Sequence, residues 1–344
     1  MIRHISRNRG LKIKRRISKL LNVPIKSISI VAENKEGMWS EVIFACINGK
    51  EVVFKRHITK KKYPRDTEKV ALKYLELRGM RFAPELIARS KFELIQKKIS
   101  GTYFARSDKE IIELGNTLFE LHSLKFKKFG TFGKGRKRTL GNIKEFFEHW
   151  FNSYIDYSKS SIDFFSNAKN SVFVDTWIPK INAVLKKHKN LMAKYLNDSE
   201  NSLVHFDLHN QNIITFRGKK NKIKIIDWDN AQVGDPALDI AIFVNMAKLS
   251  KRQLKLFYSS YRVSDKNNFV RRVNNYRIIY QAFRLLGFAD GIRGNWRPRA
   301  TKKIIISRMI KNLLKFSELI KEPLSVEESQ KIVIELYNML QTSN

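Results

Sequence analysis

Only one cysteine, Cys46, occurs in the 344 residues, which excludes a disulfide framework and any zinc site built on several thiolates. Histidine is scarce too; the seven present show no ligand spacing on one helix. No apolar run approaches the roughly 18 residues of a membrane span; candidates such as Ile240 to Val244 are core-sized. The N-terminal stretch MIRHISRNRGLKIKRR is basic but lacks an apolar h-region, so it does not read as a secretory signal. It shares Arg-richness and lack of acid with organelle transit peptides, but lysine is abundant throughout the chain. The expectation is a soluble cytoplasmic protein with no membrane partner. Glycine-rich phosphate motifs are missing as well: neither G-x-G-x-x-G nor the Walker A spacing occurs.

Acid is absent from three whole stretches. Residues 1–30 carry nine Lys/Arg, residues 124–144 eight and residues 292–317 eight, none with an Asp or Glu. The net charge is +35, which favours anionic partners and resists self-association. A nucleic-acid partner is one reading of these runs. No nucleic-acid motif accompanies them, so lysines on solvated faces are the favoured reading.

What is present is a core: 43% of residues are apolar. Residues 11–21 read as a short amphipathic helix that Pro24 ends. Strand-like runs follow at Ser27–Ala32, Val42–Ile47 and Glu51–His57, with the hairpin signal Asn48-Gly49 between the last two. Asp66–Leu77 has helical period, and residues 92–99 read as another strand ending at Ser100-Gly101. Beyond Gly101 the pattern turns helical, at 108–124, 142–166, 175–196, 236–248, 250–262, 267–288, 300–321 and 326–341. A single strand pair interrupts it near 212–227. The predicted class is α+β with two unequal lobes, a small antiparallel-sheet lobe over residues 1–99 and a mostly helical one over 100–344. The Gly- and Lys-rich loop 130–138 (GTFGKGRKR) reads as solvated.

The chemically informative stretch is LVHFDLHNQNIITFRGKKNKIKIIDWDNAQVGDPALDIA, from Leu203 to Ala241. Asn212 precedes an apolar run and Asp227 follows another, with the turn Gly218-Lys219-Lys220-Asn221 between them. A hairpin so centred sets Asn212 opposite Asp227 at its open end, an amide and a carboxylate suited to a hard cation such as magnesium. Asp207 lies five residues before Asn212. Phosphoryl transfer needs a carboxylate to take the acceptor's proton and oxygen ligands for the metal on the nucleotide phosphates. The Asp-to-Asn interval followed by a second Asp after a hairpin is the kinase arrangement. His205 reads as a packing and hydrogen-bonding residue of this loop, Asp229 as a partner behind it. Asp235 and Pro236 read as a helix start, and Asp239 as structural.

Strand alternation puts Val53, Lys55 and His57 on one face. Glu68 sits on the apolar stripe of the next helix, with Ala71, Leu72 and Leu75 at +3, +4 and +7. A carboxylate there needs a cation, and Lys55 is the candidate. The turn at Glu36-Gly37-Met38-Trp39-Ser40 could cover phosphates. The backbone around Lys97 and Ile99, ahead of Ser100-Gly101, is where an adenine edge would pair.

Lys55, EKVALKYL from Glu68, the 94–101 connector, HFDLHNQN from His205 and IDWDNAQVGDPALDIA from Ile226 together resemble the aminoglycoside phosphotransferase and choline kinase family. The resemblance covers roughly residues 30–245 and implies a protein-kinase-like fold, ATP and Mg2+. It implies Asp207 as catalytic base, Asn212 and Asp227 as magnesium ligands, Lys55 on the phosphates and Glu68 orienting Lys55. The family usually carries a small residue where Phe206 stands. The function implied is transfer of the ATP γ-phosphate to a small-molecule hydroxyl: a sugar, amino sugar or amino alcohol. Two rivals stand beside it. One is a protein- or RNA-associated kinase docking its partner on the basic stretches 133–138 and 293–303. The other is a non-catalytic nucleic-acid-binding module of the same fold. Only seven residues separate Asp227 from Asp235, little room for a peptide-binding segment.

Overall fold

The computed structural model describes residues 2–3, 6–34, 40–57, 66–132, 139–167, 171–197, 199–216, 222–292 and 302–342. Two compact units emerge, one from residues 1–139, 202–233 and 246–262, the other from 140–201, 234–245 and 263–344. The lobe boundary expected at residue 99 lies inside the first unit.

The first unit is organised on an antiparallel sheet of β1 (Ile2–Arg3), β2 (Ile28–Asn34), β3 (Ser40–Ile47), β4 (Lys50–His57), β5 (Leu86–Arg89) and β6 (Glu93–Lys97), in the order β1-β2-β3-β4-β6-β5. Asn48 and Gly49 both take positive φ, 47° and 77°. That is the conformation a two-residue hairpin turn requires, and it pairs Ile47 with Lys50. Strand alternation then sorts the side chains. Ile43, Ala45, Val52, Phe54 and Ile95 fall on one face and are covered by Ile13 and Ile17 of helix α1 (Arg7–Leu21). Each fully buried Ile there contributes about 1.5–3 kcal/mol. Helix α1 stops at Asn22, which takes the left-handed conformation, two residues before Pro24. The opposite face of β4 and β6 carries Val53, Lys55, Leu94 and Gln96. Helix α2 (Thr67–Leu77) buries Glu68 among Ala71, Leu72 and Leu75, as its stripe predicts.

The expectation of a single strand pair near 212–227 is corrected. β12 (Ile213–Phe216) and β13 (Lys222–Ile225) do pair, but β7 (Thr102–Tyr103) adds a third strand to them. A further sheet runs β10-β9-β14-β11-β8, from β8 (Lys125–Phe126), β9 (Lys128–Thr131), β10 (Thr139–Leu140), β11 (Asn201–Val204) and β14 (Gln232–Gly234). The strands of this further sheet, two to four residues each, hold too few side chains to show alternation, so they escape sequence reading.

All eight helices expected beyond Gly101 are present, with ends moved by a few residues. In the first unit, α3 (Asp108–His122) opens with a reciprocal cap in which Glu110 Oε2 accepts from Ser107 N at 2.9 Å, and it packs on α7 (Lys251–Ser260). In the second unit, α8 (Lys266–Ile292) packs against α4 (Ile143–Asn167), α5 (Ile178–Ala193) and α9 (Lys302–Leu319), while α10 (Val326–Thr342) packs on α9. Phe147, Trp150 and Phe151 of α4 meet Tyr276 and Phe283 of α8 at ring-centroid distances of 5.4–5.8 Å. Helix α6 (Pro236–Ala247) begins as expected: Asp235 Oδ1 accepts from Ala237 N at 2.9 Å, with Pro236 next to it. Among the described residues no helix is long and apolar enough to cross a membrane.

Candidate functional site

Every residue singled out for chemistry or nucleotide contact lies in the first unit, so its geometry can be built there from the sheet outward. Lys55 leaves β4 on the face away from α1. Its Nζ donates to Glu68 Oε1 at 2.7 Å and Oε2 at 3.0 Å, and to Asp227 Oδ1 at 2.9 Å. Lys55 and Glu68 are buried, at 8% and 1% exposure, and Asp227 is partly open. The lysine–glutamate pair inferred from the helix stripe is thus present, and Asp227 shares the same ammonium.

Asp229, two residues on, completes the cluster. Carboxylate oxygens of Glu68, Asp227 and Asp229 lie within 4.8 Å of one another, and Ser40 Oγ donates to Asp229 Oδ2 at 3.5 Å. Three carboxylates around one ammonium leave an excess of negative charge, and the protonation tendencies follow from it. Burial alone would lower the Lys55 pKa; the charges of Asp227, Glu68 and Asp229 outweigh it and raise it. Burial, reinforced by Asp229 and Asp227, pushes Glu68 up to about 8 against the pull of Lys55. Asp227 is raised by burial but drawn below its ordinary value by the charge and hydrogen bond of Lys55. Hard oxygen donors with surplus negative charge, one of them partly open, fit a divalent cation such as Mg2+.

Asp207 is positioned by main-chain bonds. Its N–H donates to His205 Nδ1 at 3.3 Å, and its carbonyl accepts from Asn212 Nδ2 at 2.9 Å. With Nδ1 accepting, His205 carries its proton on Nε2, which donates to the Ile226 carbonyl at 2.9 Å. His205 therefore ties the Asp207 loop to the residue before Asp227, and its ring stands edge-on to Trp228. Phe206, where the resembling family carries a small residue, has φ +66° and is buried. Glycine adopts that backbone freely, whereas a bulky residue held there costs about 1–3 kcal/mol. The loop is thus held in a strained shape by its packing.

One placement differs from expectation. Phe216 pairs with Lys222, so five residues rather than four join the two strands. The register moves accordingly, and Asn212 lies opposite Ile226, whose N–H donates to the Asn212 carbonyl at 2.9 Å, rather than opposite Asp227. Asp227 takes φ 67°, ψ 61°, a left-handed turn that breaks the strand alternation just after the ribbon. The expected turn 218–221 lies outside the described residues, as do 36–39 of the phosphate-covering turn, 133–138 and 293–301.

On the connector, Lys97 N–H donates to the Glu85 carbonyl at 2.9 Å, and Ile99 is half-buried. Gly101 follows at a close approach: a Cβ there would sit 2.6 Å from the Thr215 carbonyl oxygen and 2.6 Å from Ile214 Cγ2. Gly101→Ala is therefore expected to cost about 1–3 kcal/mol by forcing the connector off β12. The midpoint of denaturant unfolding, read against the parent, checks this.

Asp229, read from the sequence as a partner behind the loop, lies in a short helical turn, Trp228–Asn230, with its carboxylate in the cluster. One buried polar residue of the Lys55 face escapes sequence reading. Gln96 lies on the Lys55 face, opposite Val53, and is 4% exposed. The alternation of β6 could have placed it there.

With this geometry in hand, comparison with known proteins finds consistent relatives. Residues 72–267 match the model of a phosphotransferase enzyme family. The Protein LicA homolog of Metamycoplasma hominis is 27% identical over 188 residues, which is 54% of this chain and 63% of that protein. Among solved structures, the choline kinase LicA of Streptococcus pneumoniae superposes with a TM-score of 0.60 at 16% identity, covering 89% of this chain and 98% of that one. The streptomycin–ATP–APH(2")-IIa ternary complex superposes with a TM-score of 0.59 at 16% identity, covering 92% of this chain and 97% of that one. These likenesses show the fold, the α+β two-lobed protein-kinase-like fold expected from the sequence.

Proposed function

We propose that this chain, which belongs to the phosphotransferase enzyme family, transfers the γ-phosphate of ATP to a hydroxyl of a small molecule such as a sugar, amino sugar or amino alcohol. The observation that carries the reading is the buried Lys55 ammonium held between Glu68 and Asp227. A lysine so anchored, in a site with surplus negative charge, suits nucleotide phosphates brought in with a divalent cation.

In this reading Lys55 binds the phosphates and Glu68 fixes its direction. Asn212 and Asp227 hold Mg2+, which neutralises charge on the phosphates when bound. Asp207 orients the acceptor hydroxyl and takes its proton as the oxygen bonds to the γ-phosphorus and the bond to the β-phosphate oxygen breaks, giving ADP and a phosphate ester. The carbonyl of Lys97 and the backbone of Ile99 receive the adenine edge. Residues 1–99 act as the nucleotide lobe and 100–344 as the catalytic and acceptor lobe. A cytoplasmic location belongs to the same reading.

The segment after Asp227 favours a small acceptor over a peptide. It is occupied by the turn Trp228–Asn230 and strand β14 before α6 begins. The choline kinase among the similar structures puts amino alcohols first in the test. That test is an ADP-release screen over amino alcohols, sugars, amino sugars, nucleosides, peptides and RNA, with the Asp207→Asn protein as blank. Turnover is expected with one small-molecule class; ADP release with peptide or RNA alone would overturn the proposal.

A further inference from the structure

We infer that helix α1 and the strands beneath it form an anion site apart from Lys55, one that takes a linear run of two or three phosphates, free or as the tail of a nucleotide. The site is a cavity of about 270 Å³ between α1 and strands β3 and β4. That volume is just under the roughly 300–1,000 Å³ of small-molecule pockets and suits a compact ligand rather than a polymer. Arg9, Lys12, Arg15, Arg16 and Arg56 line it, with Glu41 as the carboxylate among them. Lys12 and Arg16 follow Arg9 at +3 and +7, so the three share one side of α1. Arg56 comes from β4, opposite Glu41 of β3, and as the residue after Lys55 it faces the other side of the sheet.

Buried carboxylates aim two of these guanidinium groups. Glu33 and Glu41 are 2% and 3% exposed, and each requires a cation. Arg9 Nη2 donates to Glu33 Oε1 at 2.7 Å and to Glu41 Oε1 at 2.5 Å, and Arg56 Nε donates to Glu41 Oε2 at 2.8 Å. Burial would raise the Glu41 pKa, but the Arg9 hydrogen bond and the Arg56 charge outweigh it and hold the group below its ordinary value. Glu41 therefore stays ionised with both oxygens occupied. These bonds use one nitrogen of each guanidinium. Among the described residues, the other nitrogens of Arg9 and Arg56, with Lys12 and Arg15, donate to no protein group. Guanidinium and ammonium nitrogens only donate, so what they hold is an acceptor, and the planar fork of arginine matches phosphate oxygens. Glu93 accepts from Arg16 Nη1 at 2.7 Å; with it and Glu33 counted, five cations still face three carboxylates among the described residues. A surplus spread over several donors suits linked phosphates better than a single carboxylate. With both arginines fixed by ion pairs before the ligand arrives, little ordering is left to oppose binding.

Binding of tripolyphosphate is measured by calorimetry in EDTA, because without a metal the carboxylates of Glu68, Asp227 and Asp229 repel a polyanion from Lys55. Three proteins are compared: the parent, Lys12→Gln/Arg15→Gln, and Lys109→Gln/Lys255→Gln, which removes the same charge from α3 and α7. All four residues are exposed, so both variants are expected to fold, and thermal melts check it. The parent is expected to bind one tripolyphosphate. Lys12→Gln/Arg15→Gln should bind it at least about tenfold more weakly, since hydrogen bonds to charged groups are lost. Lys109→Gln/Lys255→Gln should stay within about threefold of the parent, because salt screens distant surface charges. ATP in the same metal-free buffer identifies the source. Binding tighter than tripolyphosphate assigns the site to a nucleotide tail, and weaker binding assigns it to a free chain. Equal losses in the two variants overturn the inference, as does a parent that binds neither ligand. A single-stranded RNA binding in their place would make this face a nucleic-acid surface instead. The kinase reading is tested with magnesium and an acceptor, and neither result bears on it.

Discussion

Asp207→Asn is expected to lower phosphoryl transfer by about 10²–10⁴-fold, the range contributed by a positioned general base, while MgATP binds as in the parent. The expectation is sharp because Asp207 is held through its main chain. Its N–H goes to His205 and its carbonyl to the Asn212 amide, and neither bond is touched when carboxylate becomes amide. The loop should keep its shape, and only the proton acceptor is lost. Single-turnover rates with the acceptor found in the screen, alongside nucleotide affinity, separate the two effects. A variant turning over within a few-fold of the parent would remove Asp207 from the chemistry.

The second large effect is expected for Lys55→Met. The ammonium satisfies both the buried Glu68 and Asp227, and breaking a buried ion pair by removing one partner typically costs about 3–5 kcal/mol. Activity should fall with it, since the same nitrogen is assigned to the phosphates. The stability loss should also depend on pH in a definite direction. Burial, reinforced by Asp229 and Asp227, already raises Glu68 to about 8 with Lys55 opposing the rise; without Lys55 it goes further up. A carboxyl raised in the folded state binds its proton more tightly there than in the unfolded chain. Its contribution is whole below the unfolded value and lost as pH climbs through the folded one. Lys55→Met should therefore lose most at pH 9 and least at pH 6. Asp227 has the opposite sense in the parent. Held below its ordinary value by Lys55, it adds stability that disappears on acidification, and the variant should lack that acid-side loss. Urea unfolding at several pH values reads both; equal losses at pH 6 and 9 would contradict the assignment.

The elements that were readable from sequence are those long enough to repeat a period. Helices α3 to α10 each offer several turns, and the Asn48-Gly49 hairpin needs only its own two residues. The Lys55–Glu68 pair was readable because a carboxylate on an apolar stripe demands a cation. The short strands β8 to β11 were not, since their positions depend on partners far along the chain. The site divides similarly. Asp207, Asn212 and Asp227 stand out by spacing, but the five-residue connection that moves Asn212 opposite Ile226 does not. Nor does the backbone strain at Phe206: a phenylalanine gives no warning of a positive φ, whereas a glycine would have.

Consider finally the amide of Asn212. Its nitrogen is engaged by the Asp207 carbonyl, so on the proposed reading only its oxygen is left to meet a cation. One side chain thus serves as fastener and as ligand through opposite ends of the same planar group. Aspartate, usually the better magnesium binder, cannot stand in: it would set an oxygen against the Asp207 carbonyl, trading the latch for a repulsion. A swap that looks conservative on charge-blind grounds would loosen the very loop that presents the base.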